Sequence, residues 1–213
     1  MSCVRGLSVL AVSGFFAAAV PASAAVILDQ SVDFNLGSVT SYDTSRGFDD
    51  FTLATASTIT KLTWAGEWAP TGASFNIGFS YDQPGGSLPN TSFFATETVT
   101  PTMTNLNPYG EFSATLPTAV QLPAATDLWI SIQDESGYWF WQGANSDPSP
   151  INGYAGLSVE DSNGSLYPTA FDLAFSLYGT KTVPEPGTLA ILGTALVGLA
   201  ALRRRKAAGG SRH

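Results

Sequence analysis

Phe75-Asn76-Ile77-Gly78-Phe79-Ser80-Tyr81 sets an apolar side chain at every second position, with small or polar residues between them. A strand turns successive side chains to opposite faces, so this run reads as a strand with one face in a core. The same period returns in Leu128-Trp129-Ile130-Ser131-Ile132-Gln133, where Leu128, Ile130 and Ile132 share a face. It returns again where Phe171, Leu173, Phe175 and Leu177 alternate with Asp172, Ala174 and Ser176. No stretch of the interior keeps a 3.6-residue period, so strands are expected throughout it.

Further strands are expected at 25–34, 48–54, 58–64, 91–100, 109–116, 118–122, 137–143 and 154–160. Turn chemistry separates them. Asp82-Gln83-Pro84-Gly85-Gly86 and Asp161-Ser162-Asn163-Gly164-Ser165 are the clearest turns, with glycine supplying positive φ, and 145–153 reads as a longer loop. About ten short strands at these spacings predict an all-β domain over residues 25–180. The expected architecture is an antiparallel two-sheet sandwich, with a jelly roll as the expected winding. That length is enough for one domain with its own core.

The two ends differ from this body. Residues 1–24 have one positive charge, Arg5, then an apolar run from Leu7 to Val20, then Ala22-Ser23-Ala24. This is the pattern of a secretory signal helix cut before Ala25. The only cysteine, Cys3, lies ahead of the apolar run, so no lipid-bearing cysteine follows the cut. At the other end, 181–186 reads as a proline-stiffened linker. Residues 187–202 are sixteen uncharged residues and 203–213 form a basic tail. As a helix, 187–202 would span roughly 24 Å, short of a bilayer core of about 30 Å. Snorkelling arginines and local thinning close that gap, so a transmembrane helix is expected. Arg203, Arg204, Arg205 and Lys206 would hold their end in the cytoplasm, leaving the body outside.

Removing both ends changes the charge. Between Ala25 and Val183 only Arg46, Lys61 and Lys181 face sixteen acids, a net −13 against −8 for the whole chain. Such a body repels nucleic acid and anionic lipid, and no nucleic-acid partner is expected. It has no cysteine, and the single histidine is His213. Ser-His-Asp triads, Cys-His pairs and histidine zinc sites are therefore excluded from it. No phosphate-binding glycine loop is present either. The body is expected not to be an enzyme, with no catalytic residues.

Two constellations remain. Trp139 and Trp141 alternate with Tyr138 and Phe140, and Trp64 and Trp68 flank Glu67. Flat indole faces suit the apolar faces of sugar rings, so Trp139, Trp141, Trp64 and Trp68 are the carbohydrate-stacking candidates, with core packing as the rival role. Glu67 is the one acid in an aromatic setting, which would make it the first candidate of a carboxylate-dependent carbohydrate-active enzyme. Asp161, Asn163 and Ser165 offer oxygen ligands at the spacing of a calcium loop, but Asp172 stands where that loop needs Glu. Asp43 with the adjacent pair Asp49 and Asp50 is the alternative calcium set, and no cofactor is expected apart from calcium.

The ending Val183-Pro184-Glu185-Pro186, an apolar run and Arg203-Arg204-Arg205 resembles the PEP-CTERM sorting signal of Gram-negative surface proteins. The resemblance covers about twenty-five residues. It implies recognition by an exosortase, an intramembrane transpeptidase. That enzyme would remove the tail and pass the body to the cell surface or the extracellular polysaccharide. Asp49-Asp50-Phe51, Trp129-Ile130-Ser131-Ile132, Trp139-Phe140-Trp141-Gln142 and Ala174 to Gly179 also resemble the small exported domains that precede such tails. Those domains share no activity that the resemblance could transfer, and the expected role is a structural or adhesive surface protein with weak carbohydrate binding. An unprocessed single-pass surface protein is the alternative.

Overall fold

The computed structural model describes residues 24–69, 72–86, 88–105, 109–144, 158–169 and 171–182, and residues 196 and 199 singly. The expected signal helix, most of the expected linker, the basic tail and all but two residues of the expected membrane helix lie outside the described residues.

The fold is all-β, built of two antiparallel sheets. The alternating run comes first in importance. It forms β5 (Phe75–Tyr81), which pairs with β6 (Ala95–Val99) on one side and β9 (Leu128–Asp134) on the other. β9 pairs onward with β3 (Ser45–Phe51), β3 with β11 (Val159–Ser162), and β11 with β12 (Ser165–Pro168). These six strands make the smaller sheet. The larger sheet has eight strands centred on β4 (Ser57–Glu67). One edge of β4 carries β8 (Tyr109–Leu122), and β8 carries β7 (Thr102–Asn105). The other edge carries β14 (Phe175–Lys181), with β1 (Ala25–Gln30) beyond it. Past Trp64 the partner of β4 becomes β10 (Phe140–Ala144), which also pairs with β2 (Ser38–Thr40) and β13 (Asp172–Leu173). This is more than the eight strands of a jelly roll.

The strand faces follow the alternation. Phe75, Ile77 and Phe79 of β5, Ile130 and Ile132 of β9, and Phe175 and Leu177 of β14 lie in one buried core with Leu62, Trp64 and Phe112 of the larger sheet. Trp64 stacks on Phe112 at 5.6 Å, and Phe75 meets Trp139 edge-on at 5.0 Å. Each such side chain contributes about 1.5–3 kcal/mol when fully buried. The outward face of the smaller sheet has a second small core of Phe48, Trp129 and Val159, covered by Leu88, Phe93 and Leu166. Trp129 therefore sits opposite its apolar neighbours, as its parity requires, and is still buried.

Several expected boundaries move. The strand expected at 91–100 is Ala95–Val99, and 48–54 shifts back to Ser45–Phe51. The two strands expected at 109–116 and 118–122 are one strand, β8. Pro117 lacks a ladder N–H, and the pairing jumps from Lys61↔Thr115 to Ile59↔Val120, so a bulge carries the strand across it. The alternating run expected from Phe171 to Leu177 is divided at Ala174 into β13 and β14, and the short strands β2, β7 and β12 lie outside the expected set.

Candidate functional site

The aromatic run Tyr138 to Trp141, which leads into β10, divides by parity. Trp139 and Trp141 turn into the core, both with no exposed surface, while Tyr138 is 65 % exposed. The partner strand decides this. Gly66 pairs with Trp141, and a Cβ on Gly66 would collide with the Trp139 indole and lie 2.5 Å from Phe140 O. Only a glycine leaves room for Trp139 at this close approach. Trp141 Nε1 donates to Ala174 O at 2.9 Å, which settles its buried N–H. Trp64 is buried as well. Three of the four tryptophans expected to stack on sugars thus present no face to a ligand, and the core takes their rings. Trp68 is the exception, 64 % exposed. Its backbone has φ 68°, and its Nε1 donates to Glu67 Oε2 at 3.1 Å.

The outward row tells a different story. Thr40, Phe140, Glu67 and Tyr109 are direct partners across β2, β10, β4 and β8, so their side chains share the solvent face of the larger sheet. Tyr42, two residues beyond Thr40, lies 4.7 Å from Tyr138 and 5.9 Å from Phe140 between ring centroids. Phe34 covers Tyr109 at 4.5 Å. The result is an aromatic platform of Tyr42, Tyr138 and Phe140, bordered by Glu67 and Trp68. The Tyr42 phenol is raised above its ordinary value, first by its hydrogen bond with Tyr138, then by burial and by the Tyr138, Asp43 and Glu160 charges. Asp43 and Glu160 thus lie near enough to act on the Tyr42 phenol.

Further along the same face, a groove of about 350 Å³ opens among Asp29, Thr63, Thr102, Glu111, Ser113 and Ser176. Asp29 accepts from Ser31 Oγ at 3.1 Å and from Ser176 Oγ. The volume falls in the range of ligand clefts, and its lining mixes hydroxyls and two carboxylates with apolar side chains such as Val32, Ala65 and Ala174. Val32 packs on Ala65, Ala144 and Ala174, and so sets the β1–β2 loop across the sheet between groove and platform.

A third cluster is internal. Asp49, Asp50 and Asp172 are all buried, and one carboxylate oxygen of each lies within 4.8 Å of the others. Asp49 is on the same side of β3 as Phe51 of the main core, and Asp50 on the side of Phe48. β13 lies beside β3 and brings Asp172 to both. Leu173 N donates to Asp49 Oδ2 at 3.1 Å. With the amide turned to satisfy its neighbours, Gln30 donates to the same oxygen at 2.7 Å and to Leu173 O at 2.9 Å. Charges at this spacing repel by about 3 kcal/mol per pair at an effective dielectric near 20. A shared proton or a hard cation relieves that repulsion. The sequence marks Asp49 and Asp50 as a pair, but nothing local links them to Asp172.

The expected calcium residues Asp161, Asn163 and Ser165 lie in and beside a tight turn. Ser162 pairs with Ser165 around Asn163 (φ 53°) and Gly164 (φ 80°), a two-residue hairpin of the primed kind. Asp161 Oδ1 accepts from Gly164 N at 2.9 Å. Its carboxylate holds the turn together.

The last described strand runs straight into the C-terminal region. Lys181 pairs with Ser57, and Thr182 N donates to Ala56 O at 2.7 Å. Among the described residues no helix is long and apolar enough to cross a membrane. A search of curated proteins finds no match to the chain. A family model does match its end, and supports export through the exosortase sorting system: residues 182–206 carry the PEP-CTERM protein-sorting motif.

Proposed function

We propose that this chain is a non-catalytic surface protein of a Gram-negative cell. It is delivered through its PEP-CTERM signal and works as a structural or adhesive module that holds polysaccharide weakly on the outer face of its larger sheet. The observation that carries the reading is the placement of the platform against the sorting motif. The motif begins at 182, beside Ser57 at one end of β4, and Glu67 of the platform stands at the other end. Ten residues of strand separate them, roughly 33 Å at about 3.3 Å per residue. A body anchored through its C-terminus presents the platform away from the anchorage. The anchoring strand β14 is held on both sides, by β1 and β4, which suits a module under tension. The absence of histidine and cysteine from the body supports a role without catalysis.

Full-length protein in detergent is to be passed over immobilised bacterial polysaccharides, with reducing-sugar release measured in parallel. Retention of at least one polysaccharide without release is expected. Sugar release abolished by one Asp or Glu substitution would replace the adhesive reading with a carbohydrate-active enzyme.

A further inference from the structure

The platform has the makings of a cation-selective site. Tyr42, Tyr138 and Phe140 offer ring faces at two inclinations, 32° and 76° to Tyr42. Glu67 faces Phe140 directly across the strand pair and uses Oε2 to hold the Trp68 indole. The negative field of Asp43 and Glu160 reaches Tyr42. The three cations of the body are engaged or placed elsewhere. Arg46 lies over Phe93 at 5.0 Å, Lys61 over Tyr178 at 5.3 Å, and Lys181 at the far end of β14. Aromatic faces attract cations, and a bordering carboxylate adds to that attraction.

We infer that the platform of Tyr42, Tyr138 and Phe140, with Glu67 and Trp68 at its border, binds amino-sugar residues whose amines are free and protonated. This rests on the polysaccharide reading above and narrows it to a cationic aminopolysaccharide. Charge complementarity carries it: an acidic, aromatic, cation-free patch on a body of net −13 meets a polymer that has both an apolar ring face and an ammonium group. The ring face stacks on Tyr138 and Trp68, while the ammonium sits toward Glu67 and the ring of Tyr42. Neutral glycans gain only the stacking. Acidic glycans are repelled.

The test uses full-length protein in detergent and two probes of equal length, an oligomer of β-1,4-glucosamine and its fully N-acetylated form. Binding is measured at low and at high salt. The free-amine oligomer is expected to bind about tenfold more tightly at low salt, and high salt should erase the difference. Glu67→Gln should remove most of the preference for the free-amine oligomer over the acetylated one. Tyr138→Ala should weaken both oligomers, and thermal melting should show each variant folded. Equal affinity for the two oligomers overturns the charge inference and leaves the polysaccharide reading standing. Binding of a neutral or acidic polysaccharide with no binding of either oligomer does the same. If no polysaccharide binds at all, both fall, and tight binding of oligolysine in that case assigns the platform to a basic peptide.

Discussion

At the scale of single residues, two positions show how little freedom the packing leaves. Gly66 has no side chain because the Trp139 indole occupies that space. Gly66→Ala is expected to cost about 1–3 kcal/mol through overpacking, read as a lowered denaturation midpoint at unchanged m-value. A variant as stable as the parent would mean that Trp139 is seated differently. Asp82 is the second case. Its Oδ1 accepts from the buried Trp129 Nε1 at 2.6 Å. Burial pushes its carboxyl above the ordinary value of 3.8, the Trp129 bond pulls it down, and Asp127 pushes it up again. Because the folded state holds this proton more tightly than the unfolded chain, the group favours folding most below pH 3.8. That contribution is lost as pH rises through the higher folded value. Asp82→Asn keeps an acceptor for Trp129 and should flatten the pH dependence of stability in that window. Asp82→Ala leaves the indole N–H without a partner and should cost about 1–3 kcal/mol at neutral pH. Urea titrations from pH 3 to 7 on the three proteins separate these outcomes.

At the scale of elements, β10 carries the clearest consequence. Trp139→Ala opens a cavity between Phe75, Phe112 and Trp141, and should cost about 3–5 kcal/mol. Tyr138→Ala on the opposite face should change stability by no more than about 0.5 kcal/mol. A chemical-denaturation pair measures both, and equal losses would show that β10 is turned the other way. The same strand shows what was legible in the sequence. Phe75 to Tyr81 alternates large with small residues, so its phase is readable: Phe75, Ile77 and Phe79 face the core, while Tyr81 at the strand's end is exposed against Phe94. In Tyr138-Trp139-Phe140-Trp141 both phases are aromatic, and period two alone names two equal faces. The choice belongs to Gly66 on a strand far along the chain, which leaves space for the Trp139 indole on the core side. The platform was hidden for the same reason. Tyr42, Phe140, Glu67 and Tyr109 meet only through the register of four strands. The acidic trio was half visible, since adjacent strand residues point apart and only the neighbouring β13 gathers them at one edge. Strands such as β2 and β7 are too short for any period to show, and they form where a neighbouring strand edge pairs with them. β8 was divided at Pro117 because a proline within a run reads as a break, while the bulge there keeps the ladder going.

At the scale of the whole molecule, the body and its ends have separate physics. The core draws on residues from Leu28 to Leu177, and the matched motif begins at residue 182. Changes within the motif should therefore alter sorting and leave the sandwich intact. Arg203, Arg204 and Arg205 supply three of the four charges that would hold the cytoplasmic end. Replacing all three with glutamate leaves only Lys206 of the four and removes most of that bias. In a host with its sorting enzyme, the parent is expected at the cell surface with an intact mass lacking the residues beyond the cut. The triple variant should instead collect as an uncut precursor, with the folded body unchanged as judged by circular dichroism and a melting temperature within a degree or two of the parent. Pro184→Ala with Pro186→Ala should give the same accumulation by another route, since the tail charges then remain and only the recognition element changes. If parent protein taken from the surface keeps the full mass of the chain from residue 25 to 213, the tail acts as a permanent anchor. In that case the platform still faces outward, because the exit at Thr182 lies at the opposite end of β4 whether or not the tail is cut.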